Sequence, residues 1–186
     1  SMEIGFMSSN PERLLSYLDH RLNGAVDLTL FGRAALALGF PDHTVYARTV
    51  DIDVILVEGQ AETYQRDTNF WEIIDQINHA FAPEGLYISH FFEEGQVIMR
   101  PRWRAARVSL IGSYTQVQLY RPANEDLFLT KLMRFDPIDI EDARFIWRQA
   151  GWSKDQVQTI IRSARVPDIP EIREQFALCT AEIVSN

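Results

Sequence analysis

Two aspartates spaced two apart in a β-branched run, Thr49-Val50-Asp51-Ile52-Asp53-Val54-Ile55, are the residues of this chain best suited to chemistry. Aspartate is depleted in strands, so a Val/Ile-rich strand that keeps two of them needs a reason. Side chains alternate along a strand, which puts Val50, Ile52 and Val54 on one face and Thr49, Asp51 and Asp53 on the other. The two carboxylates then stand about 6–7 Å apart along the strand. Such a pair suits a hard divalent cation, Mg²⁺ or Mn²⁺, shared with the phosphates of a substrate. The same pattern also suits a half-exposed strand whose wet face is acidic, and the surroundings separate the two readings.

The neighbouring elements position this pair. The strand itself is expected over 46–57. Before it, Val26 to Phe31 reads as a short strand ending at Gly32, and residues 33–38 read as a short helix that Gly39 closes. A glycine turn at a helix N-terminus offers free backbone N–H groups and a positive dipole end, a good place for a phosphate. The first helix is expected from Asn10 as cap and Pro11 as first helical residue, with Leu14, Leu15, Leu18 and Leu22 as its apolar stripe. Further on, Asp67 or Thr68 caps a helix that buries Phe70, Ile73, Ile74, Ile77 and Phe81. Residues 86–92, 96–100 and 106–111 read as strands, with a hairpin turn at Glu93-Glu94-Gly95. Helices are expected over 124–134 and 140–150, with Asp139 in a capping role. Ser153 and Gln156 form a capping box for a third, and a last helix carries Ile172, Phe176, Cys179 and Ile183 at helical spacing.

Composition narrows the function classes. A chain of 186 residues, 46% hydrophobic and 24% charged, can bury a core. Its net charge of −8 argues against nonspecific nucleic-acid binding by the whole surface. One cysteine, Cys179, cannot form an internal disulfide, which fits a reducing cytoplasm. No apolar run approaches a membrane span, and the first residues carry no secretory pattern. The four histidines have no zinc spacing, and there is no serine-hydrolase elbow, Gly-Lys-Ser/Thr phosphate loop or dinucleotide fingerprint.

Taken together, Phe31-Gly32-Arg33-Ala34-Ala35-Leu36-Ala37-Leu38 and Arg48-Thr49-Val50-Asp51-Ile52-Asp53 resemble the minimal nucleotidyltransferase domain of the DNA polymerase β superfamily. The likeness is strongest to bacterial abortive-infection and toxin-type nucleotidyltransferases. It extends through Pro122 to Leu132 and the Asp-rich stretch from Asp136 to Asp142, covering roughly residues 30–143. The resemblance implies an α/β (α+β) fold, a small mixed sheet flanked by helices, with a core over 1–122 and a helical C-terminal portion over 123–186. It implies Mg²⁺ (or Mn²⁺) at Asp51 and Asp53, and a triphosphate met by Gly32 and Arg33, with Arg48, Thr49 and Lys131 in support. The implied reaction moves a nucleoside monophosphate from a nucleoside triphosphate to a hydroxyl on RNA or protein, in a cytoplasmic toxin–antitoxin or phage-defence system. A cognate toxin or antitoxin partner is then expected. The alternative is a catalytically incomplete binding or antitoxin-like regulatory protein.

Two departures from the family pattern bear on activity. Gly32 is followed by Arg33, where the family has Gly-Gly or Gly-Ser, and arginine can clamp a phosphate or occupy its place. A third carboxylate is expected on a later strand, yet Thr115 to Tyr120 offers Gln116 and Gln118, and a neutral amide is no general base. A separate basic group, Arg100, Arg102, Arg104 and Arg107 around Trp103, reads either as a nucleic-acid contact with a stacking indole or as a charge-blunted edge strand.

Overall fold

In the computed structural model, which describes residues 8–110 and 112–185, the chain forms two compact units. The first runs through Phe91 and takes up Ser109–Tyr120; the second takes Phe92–Val108 and continues from Arg121. The units therefore interleave along the chain, whereas the sequence reading divides it once, at residue 122.

The first unit is built on α1 (Asn10–Arg21), β1 (Val26–Phe31), α2 (Gly32–Gly39), β2 (Asp51–Leu56), α3 (Gln60–Arg66), α4 (Thr68–Phe81), β3 (Tyr87–Glu93), β4 (Val108–Ser109) and β5 (Val117–Arg121). The strands form one sheet in the order β3-β2-β1-β5-β4. β1 runs antiparallel to β2, with Leu30 opposite Val54 and Phe31 opposite Asp53. On its other side β1 runs parallel to β5, with Val26 opposite Val117. The sheet is therefore mixed, as expected of an α+β fold.

Local sequence explains most of these elements. Ser9, one residue before the expected cap, accepts the Glu12 N–H at 3.3 Å and opens α1. Leu14, Leu15 and Leu18 are fully buried where α1 packs against α2 and α4. α2 lies along β1 and β2. Asp67 caps α4 by accepting the Phe70 N–H at 3.0 Å, and the expected stripe from Phe70 to Phe81 is buried. β2 begins only at Asp51, because Thr44–Arg48 forms a 3-10 turn that buries the Tyr46 ring and receives the Thr49 N–H at Tyr46. The short helix α3 went unread, since its Gln60-Ala61-Glu62-Thr63 has no apolar period.

One polar contact stitches the unit together. Asp19, in the last turn of α1, accepts backbone N–H groups from Thr115 at 2.9 Å, Gln116 at 2.7 Å and Val117 at 2.9 Å, and the Thr115 hydroxyl at 3.3 Å. Burial pushes this carboxyl upward, but the three backbone donors outweigh it and hold it below the usual aspartate range.

The second unit carries α5 (Asn124–Thr130), α6 (Pro137–Ala150), α7 (Lys154–Arg162) and α8 (Pro170–Ser185). The strand expected over 96–100 does not form. Val97, Ile98 and Met99 are consecutive and all fully buried, so no alternation exists, and Met99 makes one isolated bridge to Arg165. The expected hairpin turn is a 3-10 segment, Glu94–Gln96, closed by a capping box between Glu93 and Gln96. Of the strand expected over 106–111 only Val108–Ser109 forms, and Ile111 lies outside the described residues. α5 stops at Thr130, short of the expected 134. α6 opens at Pro137 under Asp136, which accepts the Ile138 N–H at 2.8 Å; the cap is thus Asp136, and Asp139 turns inward instead. The Ser153–Gln156 capping box forms as read. Among the described residues no helix is long and apolar enough to cross a membrane.

Candidate nucleotide site

The Asp51/Asp53 face takes its shape from the β1–α2 turn. Phe31 ends β1 opposite Asp53, and Gly32 then turns directly into α2 with φ of 66°. That left-handed conformation suits glycine, because a side chain would meet its own carbonyl there. Space imposes the same choice. A Cβ on Gly32 would lie 2.9 Å from Asp53 Oδ2, so the aspartate carboxylate rests against the glycine itself. Alternation along β2 puts Asp51 on the face of Asp53, both half-buried, while Ile52 and Val54 enter the core. Gly32→Ala is accordingly expected to cost about 1–2 kcal/mol from backbone conformation alone. It also displaces the Asp53 carboxylate. Urea unfolding of the variant measures the first effect.

Three of the residues assigned to the triphosphate by resemblance, Arg33, Arg48 and Thr49, lie on α2 and on or just after the 3-10 turn that packs against it. Arg33, the second residue of α2, holds its guanidinium 5.5 Å from the centroid of the buried Tyr46 ring. Arg48 closes the same 3-10 turn and is exposed, and half-buried Thr49 follows it, two residues before Asp51. Phe31, the residue before α2, supplies no side-chain cap to it. A helix end of this kind carries partial positive charge and favours a phosphate.

The strand beside Asp51 and Asp53 is β3, not the one the sequence reading expected. β5, which holds Gln118, pairs with β1 on the side away from β2, with Gln118 opposite Asp27. Its glutamines therefore do not substitute for an acid next to the pair. The reason is topological: β5 joins β1 in parallel by a crossover that the strand patterns do not specify. β3 instead brings Ser89, whose hydroxyl donates to Asp53 Oδ1 at 3.5 Å. No group of three His, Cys, Asp or Glu residues able to hold a metal occurs among the described residues. Two carboxylates with an adjacent hydroxyl fit a hard cation whose other ligands come from phosphate oxygens, rather than a closed protein cage.

Lys131 and Arg100 belong to the second unit and are occupied there. Lys131 is buried, with its ammonium 2.9 Å from Asp142 Oδ2 and 3.8 Å from Asp139 Oδ1. Asp139 also receives the Arg134 guanidinium at 2.8 Å. Arg100 is no surface contact either. Its guanidinium and its backbone N–H all reach the fully buried Asp126, at 2.8–3.1 Å. Trp103 is only 2% exposed and donates its indole N–H to Glu94 at 2.7 Å, so it offers no face to a base. The expected edge strand is a 3-10 turn, Trp103–Ala106, and Arg102 and Arg104 are its exposed arginines. Cys179 donates to the Arg134 carbonyl at 3.2 Å, and burial first, then Asp139, pushes its thiol up to about 11.

Sequence reasoning missed Ser89 and Tyr46. Ser89 has no signature of its own, and only strand order reveals it. Tyr46 lies in a 3-10 turn where the sequence pattern predicts strand.

One carboxylate of the strand pair, Asp53, thus rests against the glycine that opens the preceding helix, in a nucleotidyltransferase-like domain. The chain belongs to the family described as nucleotidyltransferase of unknown function (DUF6036), which it matches over residues 12–165. No curated protein and no solved structure matches it.

Proposed function

We propose that this chain transfers a nucleoside monophosphate from a nucleoside triphosphate to a hydroxyl acceptor on RNA or protein, using Mg²⁺ or Mn²⁺ at Asp51 and Asp53. The observation that carries this reading is the Asp53 carboxylate resting against Gly32 at the mouth of α2. There a cation ligand and a phosphate-binding helix end share one turn.

Each residue then has a task. The backbone N–H groups after Gly32 receive phosphate oxygens, aided by the α2 dipole. The missing Cβ lets the phosphates approach the backbone closely. Arg33, steadied over the Tyr46 ring, offers a planar guanidinium to the same oxygens. Arg48, exposed, and Thr49, half-buried, lead into Asp51 and are the side chains assigned to support the phosphates. When bound, the cation neutralises charge on the transferred group and on the leaving pyrophosphate. Likeness to toxin-type enzymes supports a bacterial toxin–antitoxin or phage-defence setting in the cytoplasm, with a cognate partner.

A second reading is favoured by one observation. On β3 the side chain that donates to Asp53 is the hydroxyl of Ser89, and a hydroxyl is no general base near neutral pH. The chain is then a nucleotide-binding or antitoxin-like regulatory module without turnover.

Incubation with labelled triphosphates, Mg²⁺ or Mn²⁺ and total RNA or protein separates the two. Transfer predicts label on an acceptor, lost in Asp51→Asn and in Asp53→Asn. The binding reading predicts retained, unmodified triphosphate and no labelled acceptor. Absence of both label and retained nucleotide removes both readings.

A further inference from the structure

We propose that the exposed ring of Tyr87 is the surface on which the base of the nucleotide stacks. This deepens the transferase reading above and rests on it.

Tyr87 opens β3, the edge strand beside β2. Its N–H donates to the Val50 carbonyl at 3.0 Å, and two residues on, the Ser89 hydroxyl donates to Asp53 Oδ1 at 3.5 Å. Contacts that advance together along both strands make the pair parallel. In a parallel ladder an N–H bonds to the carbonyl just before the residue it faces, so Tyr87 faces Asp51. Ser89 then faces Asp53, in keeping with its hydroxyl contact. Alternation puts Tyr87 and Ser89 on the carboxylate face and sends Leu86 and Ile88, each 3% exposed, into the core.

Tyr87 itself is 39% exposed, and Val50, bonded to it, is 46% exposed. An aromatic ring is thus left open beside Asp51. The phosphates lie on the opposite flank of β2. There β1 ends in the Gly32 turn, two strand spacings or about 10 Å from β3. A nucleoside triphosphate with its phosphates at Gly32 and its transferred phosphate at the carboxylates runs its nucleoside across β2 toward β3. A ring placed there suits any base, because every base has a π-face.

Isothermal titration calorimetry of the full chain in Mg²⁺ compares non-hydrolysable analogues of the four nucleoside triphosphates with inorganic triphosphate, which has no base. Tyr87→Leu keeps apolar bulk on the strand and removes the ring. It is expected to weaken the nucleoside triphosphates about 5- to 150-fold, as loss of one base–aromatic stack does, and to leave inorganic triphosphate unchanged. Tyr87→Phe, which keeps the ring, should bind both kinds of ligand as the parent does. Equal weakening of both kinds, or nucleoside triphosphates held by Tyr87→Leu as by the parent, overturns the proposal and leaves the transferase reading standing. Unchanged nucleotide binding with slower transfer overturns it too, since the ring then meets the acceptor. A folded parent that binds no triphosphate of either kind removes the transferase reading and the proposal with it. If circular dichroism shows Tyr87→Leu unfolded, Tyr87→Thr, a better strand former, decides in its place.

Discussion

Lys131→Ala is expected to unfold at a temperature roughly 10 °C below the parent, a loss of about 3–5 kcal/mol. The cause is the partner left behind. Asp142 is 1% exposed and its carboxylate meets the Lys131 ammonium at 2.9 Å. Removing the lysine takes its closest cation from a carboxylate held away from water, which costs far more than an intact pair contributes. Asp139 fares better, because Arg134 reaches it at 2.8 Å and 3.2 Å. The double variant Lys131→Met, Asp142→Leu should recover most of the loss, since an apolar pair of similar volume removes both charges together. Thermal melts of the three variants measure this. A single variant within about 0.5 kcal/mol of the parent, the range of ordinary surface changes, refutes the structural role. The same proteins test the nucleotide role the resemblance implies for Lys131. A recovered double variant that still binds triphosphate as the parent does assigns the lysine to stability alone.

Asp19→Ala is expected to cost about 3 kcal/mol at pH 7, because three backbone N–H groups lose their acceptor at once. The pH dependence has a definite sign. The folded carboxyl lies below its unfolded value of about 3.9, so its contribution is complete above that value. It is lost as pH falls through the folded pKa, where the carboxylate takes up a proton. The gap between parent and Asp19→Ala should therefore be full at pH 7 and shrink in acid below the ordinary carboxylate range. Urea unfolding at pH 7 and in the acid range checks both statements. A gap that widens in acid refutes the assignment. Asp19→Asn, which keeps one carbonyl acceptor, should fall between the parent and Asp19→Ala.

Much of the local structure was legible because local sequence specifies it. The Leu14, Leu15, Leu18 stripe, the Asp67 cap, the Ser153 capping box and the Asp51/Asp53 alternation each depend on residues within a turn or two of one another. Gly32 was legible for the same reason, since a glycine between strand and helix marks the turn that its positive φ requires. Strand order was not. Whether β5 or β3 lies next to β2 depends on packing across the whole unit, so the side chain beside Asp53 is Ser89 of β3 and not Gln116 or Gln118. Buried charge was equally hidden. Arg100, Lys131 and Asp19 look like surface residues in sequence, and only their partners Asp126, Asp142 and the start of β5 make them structural. Trp103 shows the converse: an indole among arginines invites a stacking role, yet its ring is enclosed and its N–H is taken by Glu94.

The Asp19 contact also sets the order in which this protein can be completed as it is synthesised. Its partners follow it by 96–98 residues, so the first unit cannot close until β5 has left the ribosome. Before that, Phe92–Val108 has already emerged, and its own unit waits for the segment that begins at Arg121. Neither unit is finished before the other has begun, and the usual sequence of one domain after another is closed to this chain. In the interval β1 has β2 on one side and nothing on the other, an open strand edge of the kind that pairs with foreign chains.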